Sequence, residues 1–379
     1  MLDFTSLLLC VSLSAGAGGL ILVMSWVSAR DDAFLLTCAL GALLIATSTV
    51  FSAFYVRHHE TWIVSLAYLF LLCGLATIYG TAWEVRHRAR AWRAIAVAAI
   101  IAVGVCVPFH AVGYNGLGFV FGFLAAIVLH ALIAYNYWSA REESPLTLTG
   151  LAVVYGLVGL TFVPRALLVA LDGKIVMDGP PQNWAQTVGL AAVVAAAPVL
   201  AALTIVLNQQ RLVRVHRAEA LTDPLTGLPN RRGLYESVGP IARPASLVLF
   251  DIDHFKAIND THGHAVGDEV IILFSRALHR SLEPHQLLAR LGGEEFVLLD
   301  WGGDPQRIVA QAETVRAAFA ECVTAELALR CTVSGGVASG TVDAGGLSGL
   351  LALADRAMYQ AKRDGRDRLA VDRPLALAR

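Results

Sequence analysis

Seven apolar stretches, each about as long as a membrane span, fill the first 207 of the 379 residues. A bilayer span needs about 20 mostly apolar residues. The stretches of this length are Leu7–Val27, Ala33–Tyr55, Trp62–Trp83, Trp92–Phe109, Gly116–Trp138, Leu146–Leu171 and Ala185–Leu207. Only 18 of the 59 Asp, Glu, Lys and Arg residues precede Asn208. The sequence therefore predicts an all-α bundle of seven membrane helices over residues 1–207, followed by a soluble part.

Arginines in the short connecting segments predict how these helices are oriented. The segment after the third stretch carries four arginines between Glu84 and Arg93, and the one after the seventh carries three between Arg211 and Arg217. Short basic loops stay on the cytoplasmic side of a membrane. We therefore expect the N-terminus outside and the soluble part inside the cell, which requires an odd number of spans and favours seven over six.

A pair of glycines followed by two glutamates marks the soluble part. Gly292 and Gly293 stand between two short apolar runs that are typical of strands, so they predict a tight hairpin. Glu294 and Glu295 then lie at its tip, beside backbone that no side chain shields. Paired carboxylates in such a place suit a hard cation that also binds phosphate. An ordinary acidic turn is the alternative for this short string taken alone.

A second acidic stretch lies upstream of the hairpin. The apolar run that begins at Ser246 predicts a buried strand ending in Asp251-Ile252-Asp253, with a short helix, a glycine loop and a longer helix after it. The two stretches together resemble the GGDEF family of diguanylate cyclases, in the variant with glutamate at the third position. The resemblance covers residues 220–371 and includes three further blocks, which are Asp223–Arg232, Thr332–Ala338 and Ala354–Arg366.

The resemblance implies a fold and a reaction for the soluble part. It implies an α+β palm-like domain over residues 222–373, similar to adenylyl (nucleotidyl) cyclases, that condenses two GTP into cyclic di-GMP and pyrophosphate. It also implies a bacterial protein, so the expected location is the cytoplasmic (inner) membrane. No Gly-x-x-x-x-Gly-Lys-Ser/Thr string occurs in the sequence, so a P-loop does not hold the phosphates.

The resemblance also implies the metal site. It assigns Asp251, the backbone carbonyl of Ile252 and Glu294 to Mg²⁺, with Mn²⁺ as an alternative ion. Glu294 is the implied proton acceptor and Glu295 a further metal ligand, although the division of roles between the two glutamates stays open. Lys256 would stabilise charge on the phosphates.

Substrate-binding residues follow from the same resemblance. Asn259 and Asp268 match positions that recognise guanine, and His264 matches a position that contacts the substrate. Lys362 and Arg366 match positions that hold the β- and γ-phosphates, and their spacing of four predicts one shared face of the last helix. One departure is visible. Many family members bind inhibitory product through Arg-x-x-Asp, but residues 283–286 are Glu-Pro-His-Gln, so inhibition at that site is doubtful.

Each domain would hold one GTP, while the product joins two. We therefore expect a homodimer, formed through the catalytic domains and through a helical linker over residues 208–221. Leu207, just before that linker, could share one side of a helix with Val213 or Arg214, His216 and Leu221. A solvated single helix is the alternative. A lipid bilayer is the other expected partner, and the net charge of −1 gives no support for nucleic-acid binding. The alternatives are a GTP-binding receptor without catalysis and a transporter with a regulatory domain.

The membrane half carries ionisable residues within its apolar stretches. Arg165 and His130 lie at membrane depth, where a charge is costly and often functional. The alternative is that both face the interior of the bundle and are satisfied by neighbouring groups. The sequence predicts a sensor region but does not identify its ligand.

Overall fold

A computed structural model describes residues 3–28, 33–239, 242–301, 304–342 and 345–372 of the chain. The chain divides into two compact units, Met1–Leu212 and Val213–Arg379. The first unit contains helices only, among the residues described there. They are α1 (Phe4–Ser28), α2 (Ala33–His58), α3 (Thr61–His87), α4 (Trp92–Ala111), α5 (Asn115–Ser139), α6 (Pro145–Leu160), α7 (Phe162–Asp172) and α8 (Trp184–Leu221), the last of which continues into the second unit.

Seven helical segments in the described residues are long and apolar enough to cross a membrane, as the sequence predicts. The sixth predicted span is not one continuous helix, because α6 ends at Leu160 and α7 begins at Phe162. Pro164 explains the break. Its ring lacks an N–H and clashes with the carbonyl of the residue four positions earlier, which is Leu160.

Large apolar side chains lie on the outside of the first unit. Leu13, Met24, Ile100 and Leu171 are each more than 70% exposed, which would be costly in water. Its interior is also apolar, with aromatic rings such as Tyr68 and Phe123 packed together. A protein that is apolar both inside and outside is suited to a bilayer.

The helix α8 extends past the last apolar stretch to Leu221. The predicted helical continuation over residues 208–221 is therefore present, although the side chain of His216, one of the predicted stripe residues, lies outside the described part. Asn230 fixes the end of this helix. Its side-chain amide donates to the Ala220 carbonyl at 2.9 Å and its backbone N–H donates to the Leu221 carbonyl at 2.8 Å.

The second unit is a sheet covered by helices. Its elements are α9 (Arg231–Val238), β1 (Arg243–Ile252), α10 (Phe255–His262), α11 (His264–Ser281), β2 (Gln286–Gly292), β3 (Glu295–Asp300), α12 (Pro305–Leu327), β4 (Val333–Val342), α13 (Leu347–Arg363) and β5 (Leu369–Val371). The strand order is β2-β3-β1-β4-β5, antiparallel except for the β4–β5 pair. The predicted end of the domain at residue 373 lies outside the described residues.

Helices cover both faces of this sheet because β1 is apolar on both sides. Val248 and Phe250 face α11 and α12, where Phe274 and Phe319 join the core. Leu247 and Leu249 face α9 and α13 in a second core. The central position of β1 means that its carboxyl end is held rigidly. The predicted fold class, an all-α membrane-type bundle followed by an α+β domain, is confirmed.

Candidate active site

The tip of the β2–β3 hairpin carries the two predicted glutamates. Gly293 and Glu294 form the turn between the paired residues Gly292 and Glu295. Gly293 has a φ of +48°, a left-handed conformation that glycine adopts without strain. Glu294 and Glu295 are both half-buried. The predicted hairpin is therefore present, and it holds the glutamate backbone in a defined turn.

The carboxyl end of β1 meets this tip directly. Asp251 pairs with Glu295 across the antiparallel β1–β3 ladder, which places their side chains on the same face of the sheet. The Ile252 N–H donates to the Glu294 carbonyl at 3.3 Å, which ties the turn to β1. The structure thus brings together the four residues that the sequence assigns to metal.

Lys362 of α13 joins these carboxylates. Its Nζ lies 2.7 Å from Asp251 Oδ1. Burial raises the pKa of Asp251 above its usual value, and the charge of Asp253 adds to this effect, while the bond from Lys362 opposes it. The lysine therefore stabilises the carboxylate form of an aspartate that its surroundings would otherwise protonate more easily.

The two glutamates also ionise less readily than usual. Burial raises the pKa of Glu294, and the charges of Asp251 and Glu295 raise it further. Burial likewise raises the pKa of Glu295, together with the charges of Asp251 and Asp355. Three carboxylates thus repel one another in a place that the sheet and the turn fix.

A divalent cation fits this donor set. Hard cations such as Mg²⁺ bind one or two carboxylates and complete their shell with water and substrate phosphates, so a full protein cage is not required. No group of three or more His, Cys, Asp or Glu residues in the described ranges forms a ready-made metal cluster, so the three carboxylates do not yet converge on one point. Asp251, Glu294 and Glu295 would hold the ion together with the Ile252 carbonyl, and the ion would relieve their repulsion.

The predicted nucleotide residues lie on α10 and α11, which follow β1. Asn259 is half-buried on α10, and its Oδ1 lies against Gly267, so the neighbouring Asp268 is close to it. Asp268 itself is exposed. Lys256 and His264 are also exposed, and neither side chain forms a hydrogen bond or an ion pair with any part of the chain that the structure describes.

The predicted placement of Arg366 on one helix face with Lys362 is wrong. The helix α13 ends at Arg363, and Arg366 lies beyond it with a φ of +60°. Its N–H donates to the Ala361 carbonyl at 3.1 Å, which closes the helix end. Gly365, with a φ of +113°, permits this turn, and a glycine just past the last helical residue is the signal that should have predicted it.

Comparisons with known proteins identify this arrangement. Residues 220–368 match the family described as diguanylate cyclase, GGDEF domain. The chain is 31% identical over 231 residues to the probable diguanylate cyclase DgcF of Escherichia coli, a match that covers 56% of the chain and 73% of that relative. The chain belongs to the GGDEF-domain diguanylate cyclase family.

Two further relatives match less than half of the chain. The diguanylate cyclase DgcP of Pseudomonas aeruginosa is 41% identical over 164 residues, which is 41% of the chain and 24% of that protein. The chain spans between 24% and 41% of the length of the first three curated relatives. The coiled coil and GGDEF domain of DgcB from Caulobacter crescentus, solved in complex with c-di-GMP, is 26% identical, covers 46% of this chain and 97% of its own, and gives a TM-score of 0.41.

Arg290 supports the tip of the β2–β3 hairpin through hydrogen bonds. It is 9% exposed, and its Nε and Nη2 donate to the Gly293 carbonyl at 3.0 and 2.6 Å. Its Nη1 donates to Asp223 Oδ1 at 2.8 Å, and Asp223 stands two residues after the end of α8. Burial opposes ionisation of Asp223, but bonds from Thr226 and Arg290 outweigh it and lower the pKa of that carboxyl.

The sequence reasoning assigned no role to Arg290 or Asp223. The signal was available, since Arg290 is the one charged residue in an apolar strand that runs Gln-Leu-Leu-Ala-Arg-Leu-Gly. A buried arginine in a strand needs acceptors, but the sequence does not say which carboxylate or carbonyl supplies them. The pairing joins residues 67 positions apart in the chain.

Replacing Arg290 tests whether this support matters. We expect Arg290→Ala to destabilise the GGDEF domain by about 2 kcal/mol, because the Asp223 carboxylate and the Gly293 carbonyl lose their donor. We also expect turnover to fall about 100-fold, since a displacement of about 1 Å at a reacting group has that effect. Thermal melts and GTP turnover would be measured, with exposed Arg276→Ala as the matched control. Full turnover in Arg290→Ala would show that the tip does not depend on this bond.

The repulsion among the carboxylates predicts a pH-dependent effect on stability. A carboxyl whose folded pKa is raised binds its proton more tightly in the folded state, so its ionisation at higher pH costs stability. With metal removed by EDTA, Glu294→Gln should therefore melt at a higher temperature than the wild type at neutral pH. The difference should shrink as the pH falls through the raised pKa of Glu294, because the wild-type carboxyl is then neutral as well.

Exposed Glu321→Gln on α12 is the control for this comparison, since it removes the same charge away from the site. Melting temperatures would be recorded from neutral to acidic pH. A wild type as stable as Glu294→Gln at neutral pH would show that Glu294 is not strained by its neighbours.

Positions 283–286 of the GGDEF domain hold a network among its own side chains. Glu283 pairs with Arg307 of α12. His285 Nε2 lies 3.1 Å from Oδ1 of Asp300 and 3.6 Å from Oε2 of Glu283. Asp300 is only 1% exposed, and its Oδ1 accepts no hydrogen bond from the described residues, so His285 lies near this oxygen without bonding to it. An Arg-x-x-Asp string would offer an arginine and an aspartate to the product. This domain instead has side chains there that contact other side chains of the domain.

Proposed function

We propose that this chain is a membrane-anchored diguanylate cyclase. It would condense two GTP into cyclic di-GMP and release two pyrophosphates. The observation that carries the proposal is the placement of Asp251, Glu294 and Glu295 at one end of the sheet, where burial raises the pKa of each and the charge of Asp251 raises the pKa of both glutamates further. The match of residues 220–368 to the cyclase family supports it.

In the reaction, the ribose 3′-oxygen of each GTP forms a bond to the α-phosphorus of the other, and the bond to the β-phosphate breaks. Each hydroxyl must lose a proton. Glu294 is suited to accept it, because a raised pKa brings a carboxylate nearer to an effective general base. Glu295 has the same property, so it can share this role. Asp251 remains ionised through its pairing with Lys362.

A divalent cation held by Asp251, Glu294 and Glu295 would polarise the hydroxyl and neutralise the leaving pyrophosphate. The family depends on divalent metals, and Mg²⁺ is the ion we propose, with Mn²⁺ as the alternative. Once Asp251 shares its charge with a cation, the Lys362 ammonium is available to a phosphate. Arg366, beyond the helix end, and exposed Lys256 supply further positive charge for the triphosphate.

Recognition of guanine is assigned to α10 and α11. Asn259 can donate to the ring carbonyl of guanine, and Asp268 can accept from its ring N–H and exocyclic amino group. The contact between the Asn259 side-chain amide and Gly267 supports this assignment, because Gly267 directly precedes Asp268. His264, at the start of α11, would contact the substrate near the same place.

The acceptor role of Asp268 predicts a change of base preference. Asp268→Asn should raise the KM for GTP about 100-fold, since an amide N–H would face the guanine amino group. It should improve the use of xanthosine triphosphate, whose base carries a carbonyl there. KM would be measured for both nucleotides.

Glu269→Gln, the same change of charge on the adjacent exposed residue, should leave both KM values unaltered. Equal KM values for GTP in the wild type and Asp268→Asn would remove Asp268 from the base site.

Dimerisation is part of the proposal because one domain holds one GTP. Two GGDEF domains would meet with their hairpin tips opposed, and the helical continuation of α8 over residues 208–221 would bring them together. The membrane half would control how often they meet. We further propose that product does not inhibit the enzyme at positions 283–286. Side chains there contact other side chains of the same domain.

The location follows from the helices and the arginine pattern. Seven apolar helices suit a multi-pass protein of the bacterial cytoplasmic membrane. The N-terminus would lie outside and the GGDEF domain in the cytoplasm, where GTP is present.

The experiment that tests this function uses the full-length protein in lipid nanodiscs, incubated with GTP and Mg²⁺. Nucleotides would be separated by chromatography, and EDTA-treated samples would serve as the control. Cyclic di-GMP and pyrophosphate that form only with the metal are the expected products. GTP binding without product, at protein concentrations that permit dimers, would instead favour a non-catalytic GTP receptor.

A further inference from the structure

The helical unit contains a cavity of about 220 Å³. Most of its wall is apolar and comes from several helices, including Leu75 on α3, Phe123 on α5 and Phe162 on α7. The loop between α7 and α8 contributes Pro180 and Pro181. An engineered cavity of about 150 Å³ is enough to hold benzene, so this cavity has room for a small organic molecule.

One full charge faces this apolar cavity. Arg165 lines it and is only 4% exposed. Its Nε and Nη2 donors are buried and have no hydrogen-bond partner in the described part of the chain. Its guanidinium carbon lies 4.5 Å above the centre of the Phe162 ring, a cation–π contact that leaves the N–H donors unused. A buried guanidinium without an acceptor is costly, which points to an anion that binds there.

The surroundings of Arg165 are shaped to keep the guanidinium in place. Gly189 of α8 faces it, and a Cβ at that position would overlap the guanidinium group. Gln186, one turn earlier on α8, also lines the cavity, and its Nε2 is buried without a partner in the described residues. Two sets of unused donors therefore face one space, while most of the wall is apolar.

We propose that this cavity binds a compact hydrophobic monocarboxylate. The carboxylate would accept from Nε and Nη2 of Arg165 in the two-pronged geometry that suits a guanidinium, and from the amide of Gln186. The apolar body would lie among the aliphatic and aromatic residues of the wall. A neutral molecule of the same shape would leave the guanidinium unpaired, so the site should discriminate strongly in favour of the anion.

Binding of radiolabelled octanoate to the full-length protein in phosphatidylcholine nanodiscs tests this site. Scintillation proximity would be recorded, and the signal from nanodiscs without protein would be subtracted. We expect saturable binding that unlabelled octanoate displaces and that octanol displaces at least ten-fold less well. This comparison needs no variant, so it is independent of folding defects. Absence of saturable binding, or equal displacement by octanol, would overturn the proposal.

Variants then test the assigned residues. Arg165→Gln should weaken octanoate binding at least ten-fold, and Arg165→Lys should retain part of it because the charge remains. Gly189→Val should also weaken binding, since it fills the space of the guanidinium. Arg141→Gln, an exposed arginine of the same unit, should bind as the wild type does. Undiminished binding by a folded Arg165→Gln protein would exclude Arg165 as the anion site.

Discussion

Asp251→Asn is expected to abolish formation of cyclic di-GMP, with a fall in turnover of about 1,000-fold or more. The substitution keeps the shape of the side chain but removes the charge at the end of β1 that pairs with Lys362 and faces Glu295. In the proposed mechanism this carboxylate holds a divalent cation against the phosphates, and loss of electrostatic stabilisation of this kind has effects of that order. Product would be quantified by chromatography after incubation with GTP and Mg²⁺.

Glu321→Gln on the exposed face of α12 serves as the control, and it should retain the wild-type rate. Circular dichroism and thermal melting would establish that Asp251→Asn is folded. Since the pKa of Asp251 is raised in the folded protein, loss of its charge should not lower the melting temperature by much. A folded Asp251→Asn protein that still makes product at a wild-type rate would remove Asp251 from the metal site.

Gly336→Ala is expected to prevent the catalytic domain from folding stably. Gly336 lies in the middle of β4, and a Cβ there would overlap the Ala354 carbonyl oxygen and the Met358 backbone nitrogen of α13. Backbone atoms of a packed helix cannot rotate away as a side chain can, so α13 would have to leave the sheet. We expect a loss of about 4 kcal/mol or more, which is a large part of the stability of a domain.

Gly349→Ala on α13 is the matched control, because no atom lies within 4 Å of its added Cβ. Alanine also favours a helix over glycine by about 1 kcal/mol, so this variant should be at least as stable as the wild type. Soluble yield and melting temperature would be measured for both. A Gly336→Ala protein that melts within a few degrees of the wild type would show that α13 does not pack as closely as the structure has it.

Local patterns in the sequence were sufficient to predict much of the site. The glycines at 292 and 293 specify the hairpin by themselves, and the apolar run before Asp251 specifies a buried strand. Because both signals depend on neighbouring residues, no long-range information is needed to read them. The seven apolar helices were predictable for the same reason, since length and composition decide them.

Contacts between distant residues were not predictable in this way. The pairing of Arg290 with Asp223 depends on the sheet order, which no local pattern contains. The break at Thr161 and the turn at Arg366 are different, because each can be predicted from a nearby residue, Pro164 or Gly365. A continuous apolar stretch and a spacing of four residues favour uninterrupted helices there, but the helix-breaking residues override these patterns.

The support of the hairpin by Arg290 has a consequence for the proposed control of one domain by the N-terminal helices. Asp223 follows α8 by two residues, and its carboxylate reaches the tip only through the guanidinium of Arg290. Hydrogen bonds to charged groups contribute about 1.5–3 kcal/mol. The coupling free energy carried by this side-chain path is therefore expected to be of that size, which corresponds to about a 10- to 150-fold change in activity. In the proposed mechanism, a wider range of control would come from the concentration dependence of pairing between two domains, where the entropy of association, rather than the geometry of the tip, sets the limit.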